Sequence, residues 1–339
     1  VENNTIQINF ELYPFNTPQE YTNGTEYLSC FYSNLFMFLK ACGNKNIDKY
    51  IANNIFYYGY RPEKTDLRYK YEVQYFPYKN VHTLYKESGI EILEKCIEPN
   101  EVMKHIINSL INNTPIMVNM DLYFLSYRPD RFMKVHTNHY AMIYGYNHKM
   151  KKLYIIDNPD NKKYYKCIMD QNDFIQAFKS AYNPNVNNLF QYINIGNESN
   201  NYTLDKCKGI FLNNIKKCYT DIYQSIGNID RLIDEFTYIT QDKDTWDQYK
   251  ENLFYLMHYH ILNKKKSQLY AFYHLLGNSL YVVALKDIVN LWEEVRNICS
   301  YYYMQRKYKK ESIYKGIENM RLIKKLEEKF WKKFREYIG

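Results

Sequence analysis

Glycine and proline are scarce in this chain of 339 residues, at 11 and 9. That scarcity excludes collagen-like repeats and linker-rich chains. No apolar run approaches the roughly 20 residues of a membrane span; the longest, near Leu280–Leu285, is far shorter. Val1–Phe15 lacks a basic start followed by an apolar stretch, so no signal peptide is expected there. No P-loop, G-x-G-x-x-G or H-E-x-x-H occurs, which leaves NTPase, dinucleotide and zinc-protease readings without a motif. Zinc-finger, RRM and helix-turn-helix signatures are missing too, so neither nucleic acid nor membrane is expected as a partner. The seven cysteines are Cys30, Cys42, Cys96, Cys167, Cys207, Cys218 and Cys299. Their odd number, wide spacing and lack of a C-x-x-C pair argue against a disulfide framework or zinc ribbon. They argue for a reducing compartment, and a cytoplasmic location is the expectation.

What is present is a globular composition, 46% hydrophobic and 24% charged, long enough for two domains or one large one. The 39 tyrosines can mean a Tyr-lined surface, but Tyr, Asn, Lys and Ile together are also what an AT-rich genome favours. The net charge of +8 is concentrated at one end: residues 306–339 hold 12 basic and 5 acidic groups. Ile313, Ile317, Met320, Ile323, Leu326, Phe330, Phe334 and Ile338 recur there at helical steps, with lysines mostly off that line. Lys324, Lys325, Lys332 and Lys333 are therefore candidates for docking an acidic protein. The plainer alternative is a solvated face on a packed helix.

The first half mixes helix and strand signals. Phe31–Ala41 is apolar nearly all round and predicts a buried helix stopping at Cys42-Gly43. Val102–Asn112 and Asp170–Ala181 suggest further helices. Pro115–Leu125, Tyr140–Tyr146, Lys152–Asp157 and Phe190–Ile195 read as strands, the middle two joined by the short polar loop Asn147–Lys151. Beyond the loop Gly196–Asn201 strand signals largely stop, and Leu204–Tyr238, Thr245–Asn263, Ser267–Cys299 and Glu311–Ile338 suggest helices. The expectation is an α+β fold, with a catalytic domain over residues 1–200 and a helical domain with a basic last helix over 201–339.

Three residues of the first half fit together. Cys30 lies just before the buried helix, His139 just before one strand, and Asp157 at the end of the next. A hairpin brings the start of one strand near the end of the other, so His139 and Asp157 become neighbours. A thiol at a helix N-terminus gains from the dipole, which favours the thiolate. Asp157 can hold the far nitrogen of the His139 ring. The Cys30 N–H can serve as one oxyanion donor, with Asn23 or Gln19 as side-chain candidates for the second. Each residue also has a bland reading: a core thiol, an edge histidine, a turn-forming aspartate. His136 is a rival for His139, although on an extended strand it would point to the opposite face. His258 and His260 do not share a helical face, so no metal site is expected of them.

The stretch His136-Thr137-Asn138-His139-Tyr140, then Gly145-Tyr146, then Tyr154-Ile155-Ile156-Asp157-Asn158-Pro159 resembles the N-terminal domain of the butirosin-biosynthesis protein H family. Asp121–Tyr127 and Ser29-Cys30 share in the likeness, which covers roughly residues 20–200. That family is similar to papain-like cysteine peptidases, so the resemblance implies a papain-like core with a central helix packed on an antiparallel sheet. It also implies acyl transfer from a carrier-protein thioester to an amine in antibiotic biosynthesis, with Cys30 as nucleophile, His139 as base and acid, and Asp157 as its orienter. Amide formation in closthioamide-type polythioamide assembly is a related use of the scaffold.

On that reading no cofactor is bound, the donor arrives on a phosphopantetheinyl acyl or peptidyl carrier protein, and a small amine accepts the acyl group. A thioester is already activated, so no ATP is needed. The helical region can exclude water from the acyl-enzyme, and its basic tail suits an acidic carrier. A cysteine peptidase or amidase using the same three residues is the main alternative, and a binding module retaining the fold without the chemistry is another.

Overall fold

The structure, a computed structural model, describes residues 4–9, 12, 28–41, 47–158, 164–194, 202–305 and 308–339. In chain order the elements are β1 (Thr5–Gln7), α1 (Cys30–Ala41), α2 (Ile47–Asn53), β2 (Asn54–Tyr60), α3 (Leu67–Lys70), β3 (Tyr71–Pro77), α4 (Val81–Glu87) and β4 (Ile90–Lys95). There follow α5 (Val102–Ile111), β5 (Ile116–Asp121), a 3-10 turn (Leu122–Phe124), β6 (Asn138–Asn147), β7 (Lys152–Asp157), β8 (Tyr165–Asp170), α6 (Gln171–Ser180) and β9 (Leu189–Asn194). The rest is helical: α7 (Leu204–Ser225), α8 (Asn228–Ile239), α9 (Lys243–Tyr255), a π-helical stretch (Leu256–Leu262), α10 (Asn263–Leu276), α11 (Leu280–Gln305) and α12 (Lys310–Ile338). The fold is α+β. The chain divides into two compact units, residues 1–47 with 79–202, and residues 48–78 with 203–339. Where the sequence reading drew one boundary near residue 200, residues 48–78 group with the later helices.

The first unit is built on an antiparallel sheet in the order β4-β9-β5-β6-β7-β8, with β1 pairing β6 beyond the end of β5. The β6–β7 hairpin lies inside it, flanked by β5 and β8. Met142 faces Ile156 and Ile143 faces Ile155, and all four are fully buried. Strands covered on both faces read as continuous apolar runs. The loop between them closes because Asn147 Oδ1 accepts the Met150 N–H at 2.8 Å, with Lys151 at φ 51°. β6 carries a bulge between Ile143 and Gly145. A Cβ at Gly145 would lie 2.8 Å from the Tyr154 ring and 3.1 Å from the Ile6 carbonyl oxygen, so β1 and β7 both need glycine there.

Helix α1 is the buried helix the composition predicts. Leu35, Phe36, Met37, Phe38 and Leu39 are all at most 2% exposed. Each such side chain contributes roughly 1.5–3 kcal/mol by leaving water, so α1 is firmly seated. Phe31 meets Tyr140 of β6 and Phe190 of β9 edge-on, and Phe38 stacks on Tyr192 of β9. The expected stop at Cys42-Gly43 lies outside the described residues.

The second unit sets the β2–β3 hairpin among α2, α3 and the six helices α7 to α12. Its interior holds a fully buried ion pair: Lys265 Nζ lies 2.5 Å from Glu327 Oε1. Glu327 also accepts from the Tyr58 hydroxyl at 2.7 Å and from Trp331 Nε1 at 3.1 Å. Gln268 Oε1 takes another Lys265 proton. Each buried charge is thus hydrogen-bonded as well as paired, the condition under which such a pair is tolerated.

Candidate active site

Two strands bring His139 and Asp157 together by register. Met142 is opposite Ile156, so continuing the pairing by one residue sets Asp157 opposite Ala141, two residues from His139 along β6. Residues two apart share a face, and such diagonal neighbours are within reach of long side chains. His139 Nε2 lies 2.8 Å from Asp157 Oδ1. Both groups are buried, at 6% and 1% exposure.

Cys30 opens α1. The first bond of the helix runs from the Ser33 N–H to the Ser29 carbonyl at 3.1 Å, which leaves the Cys30 N–H outside the helical ladder. Two residues earlier Leu28 sits at φ 65°, a left-handed conformation rare for a side chain of its kind. The turn into the helix is therefore sharp and strained. The helix is tied to β6 by Asn34, whose Nδ2 donates to the Tyr140 carbonyl at 3.0 Å. Asn34 is one turn beyond Cys30, on the same helical face, and Tyr140 follows His139. One hydrogen bond thus sets the helix start against the strand start. The half-buried Cys30 thiol is within hydrogen-bonding reach of the His139 ring and favours its charged form. With Nε2 committed to Asp157, Nδ1 is the nitrogen left for the thiol.

Burial works against a charged His139, but the Asp157 carboxylate and then Cys30 outweigh it and push the imidazole up to about 10. Burial likewise works against a charged Asp157. The His139 charge and hydrogen bond, the Arg128 guanidinium and the Asn158 N–H outweigh it and hold the carboxyl below its ordinary range. The arrangement can therefore keep an imidazolium beside a thiol at neutral pH and present that thiol at a helix N-terminus. A second cysteine of this region, Cys167 of β8, is pushed up to about 12 by burial and then by the Asp157 charge, and stays a thiol.

Three groups around Asp157 were not singled out from the sequence as site residues. The Tyr127 hydroxyl donates to Asp157 Oδ2 at 3.0 Å, and the Asn158 N–H donates to Oδ1 at 2.7 Å. Arg128, 4% exposed, brings Nη1 to 3.5 Å from Asp157 Oδ1 and 3.3 Å from His139 Nε2. Burial, then the Asp157 charge, push the Tyr127 phenol well above its ordinary range, so it remains a donor. Tyr127 and Arg128 come from the connection between β5 and β6, whose ends pair as Asp121 with Asn138. Such a loop with adjoining ends packs by its own side chains; here Leu125 is fully buried inside it. No periodicity in this Pro-containing loop marks either residue, although Tyr127 ends the stretch Asp121–Tyr127 that shares in the family likeness. Asn34 does leave a signal, a lone amide in an otherwise apolar stretch of helix.

His136 does not share the site's carboxylate. It precedes β6, its Nδ1 lies 2.7 Å from Asp121 Oδ2, and its ring stacks on Tyr123 at 4.1 Å. Asp121 also accepts the Ser180 hydroxyl at 2.6 Å and the Tyr123 and Thr137 N–H groups, which makes it an organiser of the loop. The oxyanion candidates Asn23 and Gln19 lie outside the described residues. Of the basic candidates on α12, Lys324 is half-buried and ion-paired with Asp230 at 2.5 Å, while Lys325, Lys332 and Lys333 are exposed. Among the described residues no group of His, Cys, Asp and Glu is placed to hold a metal ion, and no helix is long and apolar enough to cross a membrane.

An α+β unit thus gathers a thiol, an imidazole and a carboxylate where a buried helix meets a sheet. Residues 55–158 match the family model described as butirosin biosynthesis protein H, N-terminal, and the match supports the family likeness read from the sequence. It takes in His139 and Asp157 and begins after Cys30. No curated protein matches the chain.

Proposed function

We propose that this chain is a biosynthetic acyltransferase that forms an amide through a Cys30 acyl-enzyme, taking the acyl group from a carrier-protein thioester. The observation that carries the reading is the meeting of Cys30, His139 and Asp157. The family match supports a biosynthetic enzyme of the acyltransferase kind.

In the first half-reaction the Cys30 thiolate attacks the thioester carbonyl. The bond to the phosphopantetheine sulfur breaks, and the imidazolium of His139 gives its proton to the departing thiol. His139 is then neutral. An amine attacks the acyl-enzyme, His139 takes the proton lost from nitrogen, and the C–S bond to Cys30 breaks to release the amide and the thiolate. Asp157 holds the ring for both transfers, and the Cys30 N–H is a donor for the oxyanion. Exposed Lys325, Lys332 and Lys333 suit an acidic carrier.

The test is product analysis with a pantetheine thioester and a panel of primary amines. Amide is expected with the native chain and none with Cys30→Ala. Free acid alone, whatever the amine, would favour the peptidase or amidase reading.

A further inference from the structure

We infer that Arg128 is a positioning residue that shares Asp157 with His139 and so limits how tightly the imidazole holds its proton. This rests on the triad reading of the site, though not on any particular acyl donor. Nε2 of His139 and Nη1 of Arg128 approach the same carboxylate oxygen, at 2.8 and 3.5 Å. They are 3.3 Å from each other. When the ring is charged both nitrogens are donors, so neither can satisfy the other, and two cations face one another across a single acceptor. The guanidinium is 4% exposed, so solvent does little to screen it. Its other fork reaches Asp130 Oδ2 at 3.4 Å, which aims it from the loop side.

The titratable and charged groups around the ring are Cys30 from α1, Asp157 from β7 and Arg128 from the loop. Behind them stand Tyr127 and Asp130, with Cys167 of β8 raised by burial and then by the Asp157 charge. The balance among these groups changes during turnover. In the resting site Cys30 and the Asp157 carboxylate both favour the imidazolium. Acylation takes the sulfur out of that balance, and Asp157 alone would still draw a proton back onto the ring. A protonated ring cannot accept the proton of an incoming amine. Arg128, fixed against the same carboxylate, opposes that return and keeps the acyl-enzyme's imidazole a base.

The experiment is NMR titration of the His139 ring nitrogens in a Cys30→Ser background, which removes the sulfur and needs no substrate. Arg128→Gln is expected to raise the titration midpoint by about one unit or more, the size of a single neighbouring charge. Arg128→Lys keeps a charge but loses the fork, and is expected to raise it by less. A midpoint unmoved or lowered in Arg128→Gln overturns the inference. Should Arg128→Gln not fold, Arg128→Met removes the same charge with a side chain of similar length, and a midpoint unmoved or lowered there overturns it equally. Because no acyl donor is involved, this result stands apart from the success or failure of the transfer assay.

Discussion

His139 has different work for each ring nitrogen: Nε2 faces a carboxylate at 2.8 Å, and Nδ1 is left for a thiol. The pH behaviour of the fold follows from this division. The folded value of His139, about 10, lies above its ordinary 6.5, so the imidazolium stabilises the native state. That contribution is complete below pH 6.5, shrinks as pH rises, and is gone above about 10. Asp157 has the opposite sign: lowered from 3.8, it contributes above that pH and its share is lost as pH falls through the folded value. Denaturant melts of the native chain and His139→Gln should therefore differ most near pH 6 and converge above pH 10. A constant difference across that range would deny the pairing. Some of this was legible beforehand. His139 and Asp157 stand at opposite ends of adjoining apolar strands, and a hairpin must bring such ends together. Arg128 was not legible, because a loop's path depends on what it packs against, and no periodicity records it.

Elements set how finely those residues are placed. Asn34 links α1 to β6 through the Tyr140 carbonyl, so Asn34→Leu should leave the helix buried but free its N-terminus to shift. Misplacement of about an ångström costs on the order of 100-fold in rate. Turnover should accordingly fall far more than the melting temperature; proportionate losses would make Asn34 merely structural. Gly145→Ala drives a Cβ to within 2.8 Å of Tyr154 and 3.1 Å of the Ile6 carbonyl. It should destabilise by about 1–3 kcal/mol in denaturant melts. Where the sequence misread elements, local bonds explain why. The run Pro115–Leu125 looks like one strand, yet Asp121 Oδ1 accepts the Tyr123 N–H and turns the chain into a 3-10 turn after Asp121. A helix over Ser267–Cys299 ignores Gly277, whose φ of 67° ends α10, while Lys264–Lys266, which looked like a break, continues the helix from the π-helical stretch. Leu204–Tyr238 is likewise two helices, α7 and α8, parted at Ile226–Gly227.

At the scale of the molecule, two compact units interleave along the chain, since residues 48–78 belong with residues 203–339. The β2–β3 hairpin escapes a reading that goes segment by segment, because its partners, such as Asn214 to Ala52 and Asn228 to Tyr58, lie more than 160 residues away. In that unit Glu327→Gln would leave Lys265 as an uncompensated buried charge, and a loss of about 3–5 kcal/mol is expected in its unfolding. Charge on α12 bears on the proposed carrier instead. Reversing Lys325, Lys332 and Lys333 to Glu should raise KM for a carrier-borne donor, most at low salt, and leave a free pantetheine thioester unaffected. Equal effects on both donors would remove these lysines from carrier recognition. The proposed chemistry turns on one covalent bond. Peptide mapping by mass spectrometry, after incubation with an acyl-carrier thioester and no amine, should find a single acyl group on Cys30, lost from Cys30→Ala and released as amide when amine is added. An unmodified Cys30, or an acyl group carried only by exposed Cys96, would contradict it.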